Sequence, residues 1–576
     1  MTSFRIERLK FTAGDIGAWG RNNPLHSNWP VVYTIDNDDA IYVGETGNTV
    51  TRMNQHLKAE GKEDLQAVQV IIDETFNKSA CLDLESFLIR LFDGDGKYQV
   101  RNRNTGITDS EYYERETYQN RFKEVFDELR TQGYFERTIP QIINSDLFKL
   151  SPFKALTQDQ AAAVEDILEG LFTDLARGDG STIVVEGNPG TGKTILAIYL
   201  AKLLRDIEEA VPDDEPAGDD MFADFFTPGH RELLQGFRIG LVVPQQSLRN
   251  SIKKVFKRTP GLNADMVLTP FEVGASAADF DLLIVDEAHR LNQLSAQAAG
   301  VQTKLFREIQ AKLFGVVPEA LQKTQLDWIR AKSRHQVFLL DLHQRVRPSD
   351  APTEALRALQ QHAVERQRVY PLTTQMRVKA GADYVGYVRQ VLSMTQLDPL
   401  QFEGYDLRFF DDFDEMYEQI QEREREEGLA RLVAGYAWKW RSSKDPSLAD
   451  IHLGSHELQW NRTDRDWINS PTSPGEVGSI HTVQGYDLNY AGVIIGGDLR
   501  LDQASGRLRF DRANYFDTRG KANNHILGKK YTDDDLLELI LNIYGVLLTR
   551  GMRGTYVYVV DEPLRKYLRP FFSNAG

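Results

Sequence analysis

Gly187-Asn188-Pro189-Gly190-Thr191-Gly192-Lys193-Thr194 is the stretch on which the reading of this chain turns. GNPGTGKT has the spacing G-x-x-x-x-G-K-T, follows the apolar run Ile183-Val184-Val185 and precedes the helical stretch ILAIYLAKLL. Strand, glycine-rich turn and helix in that order make a phosphate-binding loop. The glycines let backbone N–H groups turn inward around phosphate oxygens, and the helix adds the positive end of its dipole. In such a loop the lysine, Lys193, reaches the β- and γ-phosphates, and the threonine, Thr194, places its hydroxyl on Mg²⁺. The whole loop, 187–194, is therefore expected to bind ATP with Mg²⁺.

Working outward, LLIVDEAHR at 282–290 is an apolar strand that ends in two carboxylates. Asp286 is expected to hold Mg²⁺, mostly through water, and Glu287 to orient or deprotonate the attacking water. STIVVEG, IGLVVP and QVFLLDLH are further strand candidates between helical stretches, and RLVAGYAW, YAGVIIGGD and GTYVYVVDE repeat the order later. Strands alternating with helices predict parallel sheets. The expected fold class is α/β, with tandem α/β domains at 151–365 and 366–576. Residues 109–150, rich in charge and aromatics, read as a helical linker, and residues 1–108 as a small α+β domain.

Composition limits the function classes. The 576 residues carry 84 acidic against 68 basic side chains, a formal net charge of −16. That argues against coating nucleic acid by bulk charge and leaves room for a local basic groove. Arg249, Lys253 and Lys254 are candidates for such a groove, and Trp438 and Trp440 read mainly as core. Cys81 is the single cysteine, so neither an internal disulfide nor a thiolate zinc cluster is expected. No long apolar run predicts a membrane span, the first residues lack an apolar signal core, and the expected location is the cytoplasm.

The later motifs resemble those of superfamily 1 helicases. Leu156-Thr157-Gln158-Asp159-Gln160 resembles the adenine-reading segment, with Gln160 as the contact. Val242–Phe256 falls where a strand and loop touch the nucleic-acid backbone. Leu340-Asp341-Leu342-His343-Gln344 is similar to the motif whose glutamine, Gln344, senses the γ-phosphate. Gln375-Met376-Arg377 matches the segment in which the second domain offers its first arginine. Ser479–Asp487 resembles the next motif, with Gln484 and Gly485 at the nucleotide, and Tyr544–Met552 the last, with Arg550 reaching the phosphate. The resemblance implies two RecA-like domains closing on ATP, with Arg377 and Arg550 stabilising transition-state charge, and DNA, with RNA open, as the partner. GYAWKW (435–440), the IHTVQGYDLNYAGVIIGGDL run and LLTRGMRGTYVY resemble the Schlafen-like group of bacterial helicases.

Nearer the N-terminus, VVYTI and AIYVG flank DNDD, a hairpin signal. A helix follows with Arg52 and His56 on one face, then LDLESFLIRLF with Glu85, then Asn102 and Asn104. This layout resembles the GIY-YIG endonuclease domain, although Val31-Val32 replace the glycine of the first motif. The resemblance implies that Tyr33 and Tyr42 are the two motif tyrosines and that Arg52 stabilises the pentavalent phosphate. It further implies that Glu85 binds Mg²⁺ and that Asn102, or alternatively Asn104, is the late asparagine. Tyr33 is expected to orient or deprotonate water with help from a nearby cation, and His56 to accept its proton.

The expected whole is an ATP-driven translocase or helicase fused to a Mg²⁺-dependent endonuclease that cuts DNA, by analogy in bacterial antiphage defence. A repair or recombination nuclease-helicase and an ATP-gated nucleic-acid sensor are the alternatives. Whether the chain forms a homo-oligomer is left open.

Overall fold

Strand β2 (Val31–Asp36) is buried along its whole length, and its side chains divide between two cores. Val31, Tyr33 and Ile35 point to one face and Val32 to the other, the two-residue alternation of a pleated strand. β2 pairs antiparallel with β3 (Ala40–Thr46) and with β4 (Ala67–Asp73). The sheet is completed by β1 (Phe4–Lys10) and β5 (Gln99–Val100) in the order β1-β4-β2-β3-β5. Asn37 closes the β2–β3 turn, its side-chain oxygen accepting from the N–H groups of Asp39 at 2.9 Å and Ala40 at 2.7 Å. The computed structural model describes residues 4–59, 62–102, 112–153, 156–210, 221–296, 300–375, 378, 383–396, 398–463, 467–483 and 486–573.

One face of this sheet packs on the helix Lys78–Asp95, which Asn77 caps at its start and the left-handed Gly96 ends. The same core takes in Phe122, Val125, Phe126 and Leu129 from the helix Arg115–Thr131. Phe135 lies 4.3 Å, ring centre to ring centre, from Phe92 and 4.4 Å from Phe126. The described part of the expected 109–150 linker, residues 112–150, thus puts its aromatic face into the core of the N-terminal sheet.

The chain packs as two compact units. One comprises Met1–Asp179, Thr194–Phe237 and Ser251–Val267, the other Gly180–Lys193, Arg238–Asn250 and Leu268–Gly576. These cut across the expected border at 151. Within the first unit Ser251 donates to Asp146 at 2.6 Å, and Arg258 donates to the carbonyl of Gly96.

The second unit carries the parallel sheets. β6 (Ser181–Gly187), β7 (Ile239–Val242), β8 (Val267–Leu268), β9 (Phe280–Val285), β10 (Ser333–Leu340) and β11 (Val369–Leu372) line up as β11-β6-β10-β9-β7-β8. β6 lies between β10 and β11, parallel to both. β11 follows residue 365, so the first sheet outruns the expected 365/366 border; Val369 to Leu372 register against Val184 to Gly187. The next sheet uses β12 (Asp406–Phe410), β13 (Ala430–Ala434), β16 (Val477–Ser479), β17 (Leu488–Ile495) and β20 (Gly551–Val559), in the order β12-β20-β17-β13-β16, with every pairing parallel. Two hairpins interrupt it: β14 (Ile451–Leu453) with β15 (His456–Leu458), and β18 (Leu499–Asp502) with β19 (Arg507–Phe510). This part of the chain is α/β, with parallel sheets whose strands bury long apolar runs.

Candidate functional sites

The phosphate-binding loop leaves the carboxyl end of the interior strand β6, where parallel sheets present ligand crevices. Gly190 (φ 86°) and Gly192 (φ 78°) are left-handed, a conformation that costs L-residues energy. At Gly187 a Cβ would lie 2.3 Å from the Thr191 hydroxyl. The backbone path thus requires glycine at the positions where amides turn inward. Lys193, 6 % exposed, donates to the carbonyls of Gly187 at 2.7 Å and Asn188 at 3.1 Å. Thr194 follows it in the first turn of the helix Lys193–Glu209.

The carboxylates stand at the end of β9, which β10 separates from β6. Asp286 is fully buried, and its Oδ1 accepts from the Glu287 N–H at 3.0 Å. Glu287 has φ 51°, a left-handed backbone at a non-glycine residue. Such strain costs on the order of 1–3 kcal/mol and persists where surroundings enforce it. Burial pushes the Glu287 carboxyl up, but His289, with Nε2 2.8 Å from Oε2, and the Lys193 ammonium outweigh it and hold the carboxyl well below the ordinary range. The Asp341 N–H donates to His289 Nδ1 at 3.4 Å, which puts the ring's proton on Nε2, the nitrogen beside Glu287.

Asp341 gathers the rest. Its carboxylate accepts from Gln344 Nε2 at 3.0 Å and from Arg389 Nη2 at 3.3 Å to each oxygen. Arg389 Nη1 donates to the Asn188 side chain of the loop at 2.6 Å, and Gln375 Nε2 donates to the Pro189 carbonyl at 2.8 Å. A cavity of about 820 Å³ opens here, lined among others by Glu186, Asn188, Asp341, His343, Gln375 and Arg389. Burial and the Arg389 charge lower the His343 pKa, which keeps a neutral imidazole on this wall.

Other expected residues fall elsewhere or do other work. Gln160 is fully buried, and its side chain accepts from the Thr157 N–H at 3.0 Å, closing a capping box. Arg550 is 1 % exposed and donates to the Tyr486 carbonyl at 3.1 Å. Arg377, Gln484, Gly485 and Asn104 lie outside the described residues. Arg249 donates to the carbonyls of Val243 and Pro244, so its guanidinium ties down the loop after β7. Trp438 packs against Trp460, whereas Trp440 is exposed, which corrects its expected place in the core. Sequence reasoning missed Arg389 and the role of His289. Arg389 sits in YVGYVRQVL, an ordinary amphipathic helix with no motif to mark it, while His289 stands in plain view in DEAH.

The first unit holds a second cluster. β2 and β3 register Tyr33 against Gly44, where a Cβ would lie 2.4 Å from the Tyr33 hydroxyl. The helix Thr49–His56, capped by Asn48, presents Arg52 and His56 to the two tyrosines. The Arg52 charge acts on both tyrosines, and the Glu85 charge is felt at Tyr33. Tyr33 Oη lies 2.7 Å from His56 Nε2, and Lys62 Nζ lies 2.6 Å from His56 Nδ1. Lys62 also stands 3.7 Å over the ring centre of Tyr42. Asn102 clasps the Val43 backbone, accepting from its N–H at 3.1 Å and donating to its carbonyl at 2.7 Å.

Two expectations change. Tyr33 has no exposed surface, and burial, then the adjacent Tyr42, push its phenol well above its ordinary pKa despite Arg52. A hydroxyl so enclosed cannot meet an attacking water; Tyr42, half-buried, is the member within reach of solvent. Asn102 is 7 % exposed, and both ends of its amide are taken by β3, so it shapes the strand that carries Tyr42. Among the described residues no group of three His, Cys, Asp or Glu side chains could hold a metal, so a cation at Glu85 would rest mainly on water and substrate oxygens, as Mg²⁺ does. No described helix is long and apolar enough to cross a membrane.

A sequence profile of the family described as "Schlafen group 3, DNA/RNA helicase domain" matches residues 180–561. An uncharacterized protein of Saccharomyces cerevisiae is 32% identical over 225 residues, 35% of this chain and 48% of that protein. The chain thus spans about half the length of the curated relative it matches. Two solved structures show a looser likeness. The Pif1 helicase from Bacteroides in complex with ADP-AlF3 and ssDNA is 11% identical, over 68% of this chain and 91% of that one, with a TM-score of 0.25. Bacteroides Pif1 bound to ssDNA is 10% identical, over 70% and 92%, with a TM-score of 0.23. At such TM-scores these two lend no weight to the site.

Proposed function

This chain belongs to the Schlafen group 3 DNA/RNA helicase domain family, and on that premise we propose that it is an ATP-driven nucleic-acid translocase or helicase carrying a metal-dependent endonuclease in its first unit. The observation that carries the motor is the Lys193–Glu287–His289–Asp341–Arg389 network beside the 820 Å³ cavity. The donor set suits a nucleoside triphosphate: left-handed glycines, a buried lysine that donates to two loop carbonyls, and two buried carboxylates. Mg²⁺ held by Thr194 and Asp286 would neutralise charge across the β- and γ-phosphates.

Glu287 is the base of this reading. Its ionised state, fixed by His289 and Lys193, lets it orient the attacking water and take its proton. Gln344 and Arg389 meet on Asp341, and Arg389 also reaches Asn188 of the loop. This bridge from the segment after the first sheet reports on the loop's occupancy, and charge supplied there steadies the departing phosphate. Opening and closing of that bridge is how turnover moves the later sheet against the first and draws a bound strand along. Arg377 and Arg550 are the further arginines of this reading, and Gln160, Gln484 and Gly485 its remaining nucleotide contacts.

In the nuclease, Tyr42 faces the water, Arg52 stabilises the phosphorane and Glu85 would hold the Mg²⁺. The test is cleavage of linear, circular and single-stranded substrates by the full chain with Mg²⁺ and ATP. Glu85→Ala is expected to stop cutting and spare ATP hydrolysis, and Lys193→Ala to do the reverse or to stop both if cutting is coupled. Unchanged nicking by the Glu85 variant removes the nuclease reading.

A further inference from the structure

Lys62 lies outside every motif read from the sequence, yet it touches two members of the tyrosine cluster. Its Nζ is 2.6 Å from His56 Nδ1 and 3.7 Å from the centre of the Tyr42 ring. An ammonium carries three donors and no lone pair. The imidazole nitrogen facing it must therefore accept. Burial, then the charges of Lys62 and Arg52, lower the His56 pKa to about 3, so the ring is neutral and holds a single proton. With Nδ1 occupied as an acceptor, that proton sits on Nε2, which lies 2.7 Å from Tyr33 Oη. His56 is then a donor to the phenol oxygen. The expectation that His56 accepts the tyrosine's proton is reversed, because the nitrogen facing Tyr33 has no lone pair to offer.

We propose that Lys62 is a positioning residue of the nuclease site: it holds His56 in the Nε2–H tautomer, so that His56 donates to Tyr33, and it covers the ring of Tyr42. This rests on the nuclease reading above. His56 then donates into Tyr33 Oη, which also lies in the field of the Arg52 charge. The route from Tyr33 to His56 is closed to a leaving proton, and the water-facing role falls to Tyr42. Lys62 on the Tyr42 ring face adds a cation–π contact that fixes that ring's pose. One flexible side chain thereby sets a tautomer and a ring orientation together, as outer groups around metal sites do.

The test separates the tautomer from the activity. The full chain is labelled with ¹⁵N-histidine, His56→Gln identifies the His56 signals, and long-range ¹H–¹⁵N spectra report which nitrogen bears the proton. Wild type is expected to show Nε2–H. Lys62→Arg, whose guanidinium only donates, keeps it, whereas Lys62→Met and Lys62→Gln lose the single tautomer. In cleavage assays Lys62→Met lowers kcat roughly 10–100-fold, the range for lost outer partners, with KM little changed. Lys62→Arg restores most of that loss. Nδ1–H in wild type, a Lys62→Met spectrum identical to wild type, or full cleavage by Lys62→Met overturns the proposal. A wild-type chain that cuts nothing under any condition but shows the Nε2–H signal and its loss in Lys62→Met refutes the nuclease reading and upholds the tautomer assignment.

Discussion

Glu287→Gln removes one charge and almost no volume. The carboxylate it replaces is 8 % exposed, lies 2.8 Å from His289 Nε2 and stands in the field of Lys193. The amide oxygen of glutamine can still accept from His289, so the cost to folding is the charge-assisted part of one hydrogen bond, about 1 kcal/mol. The cost to chemistry is larger. A positioned base contributes about 10²–10⁴-fold, which corresponds to roughly 3–5 kcal/mol of barrier at 1.36 kcal/mol per decade. Nucleotide affinity is expected to stay near wild type, because the phosphate contacts proposed for the loop amides and Lys193 do not involve Glu287. The assay is steady-state phosphate release with single-stranded nucleic acid, beside titration with a fluorescent nucleotide. Turnover within a few-fold of wild type, or turnover and binding lost in parallel, would refute the assignment of Glu287 as base.

Three further outcomes follow from packing and charge. Asn102→Ala strands the N–H and carbonyl of Val43, and the stability of the first unit against thermal unfolding should fall by about 2–6 kcal/mol, at about 1–3 kcal/mol per orphaned buried group. Phe126→Ala empties a 1 % exposed site in the core shared by the sheet and the helix Arg115–Thr131; a loss of about 3–5 kcal/mol is expected, and a neutral result would mean that this helix only links. Burial raises the Asp498 carboxyl from 3.8 to about 7, with Tyr544 donating to it at 2.6 Å and its other oxygen unpartnered among the described residues. The folded state then holds a proton that the unfolded state has lost. The stability due to this group is present below pH 3.8 and drains away as pH rises toward about 7. Asp498→Asn should flatten that part of a Tm–pH profile measured from pH 4 to 8, and an unchanged slope would contradict it.

How far the sequence could be read differs between the two sites. The loop at 187–194 and the strand ending in Asp286 and Glu287 are local: strand, turn and helix follow one another, so spacing alone locates them. Every strand quoted from residue 181 onward also forms, because each is a buried apolar run in a parallel sheet. What spacing does not carry is contact between distant segments. Arg389 meets Asn188 two hundred residues back in the chain through a bond no motif announces. The hierarchy of the two tyrosines is likewise invisible in sequence, since burial of Tyr33 depends on β4 and on the close approach of Gly44. The helix Arg115–Thr131 is hard to read for a related reason: charge on its outer face masks an aromatic inner face that only the neighbouring sheet reveals.

The central claim is that Lys193, Glu287 and the residues around Asp341 form an ATP-hydrolysing centre coupled to nucleic acid. Phosphate release by the purified full chain, with and without single-stranded DNA or RNA and compared with Lys193→Ala, tests it most directly. The account predicts turnover that rises with one of these strands and vanishes in the Lys193 variant while its unfolding temperature holds. Equal turnover in the two proteins, or none in wild type with any nucleotide and strand, would contradict it.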